Sequence, residues 1–344
     1  MEIDGKCLDD ILRQTYEALL VSTDTFEASK GKGFDLLAPK IILRNPRARV
    51  SATVSRGHIT SALGEFCWYM RGSANVDEMR YYLSRYPPEG KSGSIEEAYG
   101  PRLIGTGEFG RHYKQFERVI DKLNAKPDSR RAVIAMLEPS DLEPSKGEAP
   151  CTSALQFIRR RERLHMIAMM RSNDAYLGFP HDIFCFTMMQ ELIARSLVGV
   201  KVGDYHHFAT SLHLYEGDRK RVEAYIAEGY QSTVFSMPKM PSGCQLKNLA
   251  SFLEYEAQIR AGTIAKPEEI NLPVYWKDLA LVLLHFAHKK KRRSAETVKE
   301  TANAIADRFY RPFLMARPRR VKRAEIVHFE QAELKLEDGP DGQS

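Results

Sequence analysis

The sequence has no hydrophobic run long enough to cross a membrane, no internal repeat and no long low-complexity segment. A membrane helix needs about 20 consecutive apolar residues. The opening residues, MEIDGKCLDD, are acidic and lack the apolar core of a secretory signal. With 344 residues, of which 43% are hydrophobic, the chain can bury a sizeable core. We therefore expect a globular, cytoplasmic protein.

Cysteine is scarce, and its spacing shows no pairing: the chain has Cys7, Cys67, Cys151, Cys185 and Cys244. The absence of a CxxC pair argues against both a zinc knuckle and a disulfide framework. HExxH and other metal-ligand spacings are also missing. No metal is therefore expected, and the question becomes whether one thiol is a nucleophile.

Charge of one sign is only mildly in excess, with 51 Lys and Arg against 45 Asp and Glu. Two basic runs stand out, Lys289–Arg293 and Arg317–Arg323, but no nucleic-acid module or interleaved aromatic residues accompany them. Walker and GxGxxG phosphate motifs are absent. We predict that the two runs are solvated helix faces. The charge alone leaves open whether the basic surplus serves nucleic acid, an anionic small molecule or neither.

Hydrophobic periodicity predicts helices and strands that alternate without regular βαβ spacing, which favours an α+β fold. The predicted helices are 8–20, 59–70 and 183–197. The predicted strands are 40–43, a buried strand 132–137, a hairpin of 154–158 and 164–170 joined by a charged turn at 159–163, and a segment 205–215. Residues 29–33 are predicted to form a loop, 84–94 a flexible connection and 334–344 a flexible tail.

Cys151 is the best candidate nucleophile, although a buried structural cysteine is the commoner fate of a thiol. It follows a proline at the entry to a predicted strand, and Arg130, Arg131 and Arg171 occur in neighbouring motifs. Guanidinium groups near a thiol favour the thiolate, and paired arginines suit bidentate binding of phosphate.

Three further positions carry candidate chemistry. Glu65 is the only acidic residue on an apolar helix, where it is either a general acid–base group or a partly exposed edge residue. Asp182 could cap the helix that follows it or face a ligand. His213 and Tyr215 are two residues apart, so on a strand they point to the same side and could bind a hydroxyl.

Taken in order, these segments resemble the thymidylate synthase and pyrimidine hydroxymethylase superfamily, over about 57–215. The matching segments are Glu65–Gly72, Tyr99–Gly100, Pro127–Arg131, Ala149–Cys151, the long Arg171–Ile183 signature, Val202–Tyr205 and His213–Tyr215. The resemblance implies a single catalytic domain over 1–333, with a mixed sheet flanked by helices and a homodimer that pairs sheet to sheet. It also implies 5,10-methylenetetrahydrofolate as cosubstrate.

The resemblance also implies roles for individual residues. Cys151 would be the nucleophile, with Glu65 and Tyr99 moving protons and Asp182 selecting the base. The substrate-binding residues would be Arg130, Arg131, Arg171, Ser172, Asp182, His213 and Tyr215, with Arg130 and Arg131 reaching the phosphate of the partner subunit. Asp174 and Gly178 would bind folate. The phosphate-binding residue near the N-terminus stays open among Lys30, Lys32, Arg47 and Arg49.

Departures from the family pattern point to the reaction. Asp182 stands where thymidylate synthases have Asn, and a carboxylate suits the N4 amino donor of cytosine. Thr152 replaces the usual His after the nucleophile, and Met170 replaces a Gln. The cofactor-side tryptophans expected before Tyr99 are missing, since the chain has only Trp68 and Trp276. Without them, capture of the exocyclic methylene by water is the expected outcome.

The sequence therefore most resembles a cytidylate 5-hydroxymethylase of the mildiomycin-biosynthesis type, acting on CMP or dCMP. Two alternatives remain. One is a C5-methyltransferase like thymidylate synthase itself, and the other is a catalytically silent homologue that binds nucleotide or RNA through its basic runs.

Overall fold

Two mixed β-sheets form the framework in this computed structural model, which describes residues 1–28, 31–84, 86, 93–105, 114–143, 145 and 147–314. The strands are β1 (Glu2–Gly5), β2 (Thr25–Ala28), β3 (Gly31–Leu37), β4 (Lys40–Leu43), β5 (Val133–Ala135), β6 (Thr152–Arg160), β7 (Arg163–Met170), β8 (Asn173–Asp174), β9 (Lys201–Ala209) and β10 (Ser211–Tyr215). The helices are α1 (Leu8–Leu20), α2 (Ile59–Arg71), α3 (Val76–Tyr82), α4 (Tyr99–Ile104), α5 (Gln115–Ala125), α6 (Gly178–Ser196), α7 (Arg219–Ile226), α8 (Leu246–Ala261), α9 (Val274–Lys290), α10 (Ala295–Asn303) and α11 (Arg311–Leu314).

The larger sheet has six strands in the order β1-β4-β9-β7-β6-β5, with both parallel and antiparallel pairs. Along β7 the residues alternate, and Leu164, Met166 and Ala168 are fully buried. Helix α6 contacts β7 and β9 on one side and α2 on the other. Because α6 is buried almost all round, its apolar sequence lacks a polar face. This confirms the predicted α+β fold.

The smaller sheet, in the order β2-β3-β10-β8, is joined to the larger one where the chain passes from β9 to β10 at Thr210. The Thr210 amide donates to Met170 O at 2.8 Å, and its carbonyl accepts from Ala38 N at 2.9 Å. Ala38 lies between β3 and β4, another place where the chain changes sheet. The two crossings are therefore hydrogen-bonded to each other.

Several sequence predictions are confirmed. Helix 8–20, strand 40–43 and the hairpin formed by β6 and β7 are all present, and the predicted helix 59–70 extends one residue to Arg71. The run Lys289–Arg293 is exposed at and beyond the end of α9. The second basic run and the tail at 334–344 lie outside the described residues, as does most of 84–94.

The predicted loop at 29–33 is wrong for its last three residues, which belong to β3, while Ser29 and Lys30 lie outside the described residues. Gly33 pairs with Phe26 on one side and Tyr215 on the other. A Cβ at Gly33 would lie 2.6 Å from Leu214 O, so close packing between strands requires the glycine here.

Three other boundaries also need correction. Helix α6 begins at Gly178 rather than 183, because Pro180 falls in the first turn, where its missing N–H costs no helical bond. The segment 205–215 is two strands in two sheets rather than one. The strand predicted at 132–137 is shorter, and as an edge strand it leaves Val133 and Ala135 exposed.

None of the helices within the described ranges is both long and apolar enough to span a membrane.

A fully buried ion pair joins the segment before α2 to helix α6. Arg49 Nη2 donates to Glu191 Oε2, and both side chains have no exposed surface. The other carboxylate oxygen of Glu191 accepts from the Met240 amide at 2.9 Å. Since a buried charge is costly without its partner, this pair fixes the segment against α6.

Removing one partner of this pair should destabilise the fold strongly. Glu191→Ala leaves Arg49 buried and uncompensated, so we expect a loss of about 3–5 kcal/mol in the free energy of unfolding, measured with urea. The control is Glu223→Ala, which breaks the exposed Arg219–Glu223 pair on α7 and should cost less than about 0.5 kcal/mol. Equal effects of the two variants would contradict this account.

Candidate active site

Cys151 lies half-buried in the loop that enters β6, and Arg171 holds this loop in place. The Arg171 amide donates to Cys151 O at 2.9 Å, its Nε to Pro150 O at 3.0 Å and its Nη2 to Ala149 O at 2.6 Å. Among the described residues nothing else binds this exposed guanidinium. Its remaining N–H groups can therefore bind an anion beside the Cys151 thiol.

The other four thiols lie in different environments. Burial raises the pKa of Cys7 to about 11 and raises the pKa values of Cys67 and Cys185 well above their usual range. Cys244 is exposed. Cys151 is thus the one thiol of the five that is half-buried.

Tyr99, at the start of α4, has its hydroxyl oxygen occupied by two donors from Thr152. The Thr152 amide donates at 3.1 Å and its Oγ1 at 2.9 Å. Burial raises the pKa of Tyr99 well above its usual range, and the charges of Asp182 and Cys151 contribute to the shift. With its lone pairs engaged and its proton retained, this phenol can act only as a donor.

Glu65 lies buried in the middle of α2 and receives hydrogen bonds at both oxygens. Its Oε1 accepts from Tyr69 Oη at 2.8 Å and from Tyr86 Oη at 3.1 Å. Its Oε2 lies 2.7 Å from His181 Nδ1 in the first turn of α6. The alternative of a partly exposed edge residue is therefore wrong, because the side chain is only 6% exposed.

Asp182 lies one residue further along α6, next to Asn173 of β8. Asn173 Nδ2 donates to Asp182 Oδ2 at 2.7 Å. Burial raises the pKa of Asp182 well above its usual range, and the charge of Glu65 adds to this, whereas the Asn173 hydrogen bond opposes it. A Cβ on Gly178 would lie 3.2 Å from Asn173 Nδ2, so the glycine leaves room for this pair.

Asp174 and Tyr215 are on the smaller sheet, near Cys151. Oδ1 of Asp174 accepts from the amides of Tyr176 and Leu177, at 2.8 and 2.9 Å. Burial raises the pKa of Tyr215, and the charges of Asp174 and Cys151 contribute. The His213 and Tyr215 rings lie 5.1 Å apart, which confirms that they share one side of β10.

The arginines predicted to bind phosphate are spread over the molecule. Arg130 and Arg131 are exposed before the edge strand β5, and no described acidic side chain pairs with either. Ser172 is half-buried between β7 and β8. Of the phosphate-binding candidates near the N-terminus, Arg49 is already paired with Glu191 in the buried ion pair.

Two other N-terminal candidates can be placed. Arg47 Nη1 donates to Met237 O at 3.0 Å. Lys32 is exposed on β3, the strand paired with β10.

Sequence reasoning missed four residues that complete the site: Tyr69, Tyr86, Asn173 and His181. Tyr69 was detectable, because a residue four positions after Glu65 on a helix shares its face. Nothing in the local spacing indicated the others, since each reaches Glu65 or Asp182 from a different segment.

One group of side chains away from these residues has the spacing of metal ligands: His165, Asp204 and His206, on β7 and β9. Two of these three side chains, those of Asp204 and His165, already bind other parts of the protein. Asp204 forms an ion pair with Arg44 at 2.8 Å, and its amide donates to His165 Nδ1 at 3.1 Å.

Comparison with known protein families supports this placement of the site. The family model described as thymidylate synthase matches residues 47–256, a range that contains α2, the Cys151 loop, α6 and the crossing from β9 to β10.

The thiol environments predict the order of chemical reactivity. Iodoacetamide should alkylate Cys244 and Cys151 in the native protein and leave Cys7, Cys67 and Cys185 unmodified, as measured by peptide mass spectrometry. Cys151→Ser provides the control, with Cys244 as its one fast-reacting thiol. Rapid modification of Cys67 or Cys185 under native conditions would contradict the burial described for α2 and α6.

Proposed function

Since the chain belongs to the thymidylate synthase family, whose members are folate-dependent one-carbon transferases acting at C5 of pyrimidine nucleotides, we propose that it is a cytidylate 5-hydroxymethylase. The observation that carries the proposal is Asp182, a buried carboxyl group beside Asn173. The substrate is CMP or dCMP, and the products are 5-hydroxymethylcytidylate and tetrahydrofolate.

Asp182 is suited to cytosine because it can both donate and accept. Burial raises its pKa, which favours the neutral acid before the substrate binds. The acid can give its proton to N3 of cytosine, and the resulting carboxylate then accepts from N3–H and from the N4 amino group. Uracil offers an N3–H donor beside an O4 acceptor, a pattern that suits an amide better than a carboxylate.

Cys151 begins the reaction by adding to the base. Its thiolate forms a bond to C6, and the C5–C6 π pair moves to C5 while N3 carries the proton from Asp182. Arg171 supports this step in two ways, by fixing the Cys151 loop and by placing positive charge near it. Arg171 and Ser172 also hold the nucleotide phosphate in this proposal.

Asp174 and Gly178 are proposed to hold the pterin of methylenetetrahydrofolate, which supplies the one-carbon unit. The fit rests on Asp174, since its Oδ1 is used by two local amides and its Oδ2 has no partner among the described residues. A half-buried carboxylate oxygen of this kind can accept from the N–H groups of a pterin.

The surroundings of Glu65 favour capture of the exocyclic methylene by water. Three polar side chains surround this carboxylate: Tyr69, Tyr86 and His181. As the water oxygen bonds to the methylene carbon, Glu65 accepts a proton from the water. The π electron pair of the exocyclic C=C bond then re-forms C5=C6, which breaks the C6–S bond and releases the Cys151 thiolate. Tyr99 can only donate, so it assists loss of the C5 proton by orienting the water that removes it.

The remaining contacts concern sugar, phosphate and oligomeric state. His213 and Tyr215 bind the sugar hydroxyls, while Arg130 and Arg131 reach the phosphate of the partner subunit in a dimer that pairs the six-stranded sheets. Exposed Val133 and Ala135 on the outer side of β5 support such a pairing, as does half-exposed Phe208.

Two alternatives remain. In the first, hydride capture replaces water capture and the product is a 5-methyl nucleotide. In the second, the protein is non-catalytic and binds nucleotide or RNA through basic residues such as the exposed Lys289–Arg293 run.

The product distinguishes these functions. CMP, dCMP, UMP and dUMP are each incubated with methylenetetrahydrofolate, and the products are analysed by mass. We expect a hydroxymethyl product from a cytidylate. A methyl product with dihydrofolate would support the first alternative, and salt-dependent RNA binding without turnover would support the second.

Cys151→Ser tests the nucleophile. Turnover should fall at least about 10³-fold, since loss of a covalent nucleophile can cost up to about 10⁶-fold, while nucleotide binding is retained. Cys244→Ser, which changes an exposed thiol, is the matched control and should be fully active. Normal activity in Cys151→Ser would exclude the proposed mechanism.

Asp182→Asn tests base selection. The ratio of kcat/KM for cytidylate to that for uridylate should fall by about 10–100-fold, equivalent to the ~1–3 kcal/mol cost of a mismatched buried polar group. In the wild type, cytidylate affinity should weaken as pH rises past the raised pKa of Asp182, because binding then requires uptake of a proton. The Asn variant should lose this pH dependence, and unchanged selectivity would refute the role.

A further inference from the structure

Among the polar residues that contact Glu65, His181 lies nearest to it and has not yet been given a function. It occupies the first turn of α6, directly before Asp182, and is 15% exposed. Its two ring nitrogens have different partners: Nδ1 lies 2.7 Å from Glu65 Oε2, and Nε2 lies 3.1 Å from Ser61 Oγ.

The hydrogen bonds of Ser61 determine the proton on Nε2. Ser61 Oγ also lies 3.2 Å from His58 O, and a carbonyl oxygen can only accept. The single hydroxyl proton therefore points to His58. Both contacts of Ser61 are made together only when His181 Nε2 carries a proton and donates it to Ser61 Oγ.

The partners of Glu65 determine where the next proton resides. With Nε2 protonated, one proton remains in the 2.7 Å contact between His181 Nδ1 and Glu65 Oε2. Two phenol hydroxyls donate to Oε1, and hydrogen bonds to a carboxylate favour its ionised form. The proton therefore belongs on Nδ1, which makes the pair an imidazolium and a carboxylate.

Other charged groups face this pair from the neighbouring elements. The small cavity beside His181 is also lined by Arg49, Arg56 and His58. Arg49 is neutralised by Glu191, and Arg56 Nη2 donates to Tyr176 O while its guanidinium lies over the Tyr176 ring. The Arg49 and Arg56 guanidinium groups oppose a positive charge on His181, so the imidazolium depends on Glu65.

On the Glu65 side, the neighbouring groups are Asp182 and Cys185. The charge of Glu65 contributes to the raised pKa of each. Burial is the main cause of the raised pKa of Asp182, and the charge of Glu65 adds to it.

We propose that His181 is a positioning residue for Glu65: an imidazolium, protonated on both ring nitrogens, that keeps Glu65 an oriented carboxylate ready to accept the proton of the attacking water. This inference rests on the proposed function for its role in turnover, whereas the protonation state can be tested without turnover.

The protonation state is measured by nitrogen NMR of protein with ¹⁵N-labelled histidine, with the His181 signal assigned by its loss in His181→Asn. At pH 7 we expect both ring nitrogens of His181 to be protonated. Burial lowers the pKa of His207 to about 3 and of His285 to about 4, so these rings serve as neutral internal standards. In Glu65→Gln, His181 should become singly protonated.

A neutral His181 at pH 7 in the wild type would overturn the proposal, as would an unchanged signal in Glu65→Gln. Should His181→Asn fail to fold, Ser61→Ala gives a second test: loss of the acceptor at Nε2 should move the ¹⁵N signal of Nε2. An unchanged Nε2 signal in Ser61→Ala would contradict the hydrogen bond from Nε2 to Ser61.

Kinetics then test the role in turnover. In His181→Asn, kcat should fall by up to about 10²-fold, because the Glu65 carboxylate is no longer held in one orientation. KM for the nucleotide should stay unchanged, and the control His285→Asn should keep the wild-type kcat and KM. An unchanged kcat in His181→Asn would refute the role of His181, whereas absence of turnover on every nucleotide would refute the proposed function and leave the NMR result standing.

Discussion

The structure of the candidate site depends on burying the carboxylate of Glu65 between helices α2 and α6. A buried charge without hydrogen-bond donors is unfavourable, so the surrounding chain must bring donors to both oxygens. Tyr69 does so from the same helix, Tyr86 from a separate segment and His181 from the first turn of α6. Satisfying this one carboxylate therefore positions the start of α6, and with it Asp182.

Electrostatic coupling spreads from this carboxylate through the site. Burial raises the pKa of Asp182 and that of Tyr99, and the charge of Glu65 adds to the shift of Asp182. Both shifts favour the protonated form of the group. The result is one anionic base beside two groups that retain their protons, an arrangement in which acids and bases are separated by environment rather than by residue type.

Much of the framework could be predicted from sequence. The apolar period of α1 and the alternation of β6 and β7 are local signals that the fold preserves. Predictions were wrong where strand pairing between segments distant in sequence determines the local structure. The glycines of β3 are typical of a loop, but β2 and β10 pair with them on either side. The start of α6 was placed late because a proline within the first helical turn resembles a helix breaker.

The same distinction applies to the site. Cys151, Glu65 and Asp182 stand out as single residues in motifs, and family membership strengthens the case for them. The partners that define their chemistry come from elsewhere in the chain. Thr152 occupies the lone pairs of Tyr99 across 53 positions of sequence, and Ser61 contacts His181 across 120. Contacts over such separations leave no periodic trace in a single sequence.

The hydrogen-bonded crossings at Thr210 and Ala38 have a mechanical consequence. Each is a point where the chain leaves one sheet for the other, and the bond between them, with the further bond from Thr210 to the end of β7, prevents the sheets from sliding independently. The strand that carries His213 and Tyr215 is thereby held at a constant offset from the hairpin that carries Cys151. For the proposed function, this means that the offset between the residues assigned to the sugar and the Cys151 nucleophile is set when the chain folds.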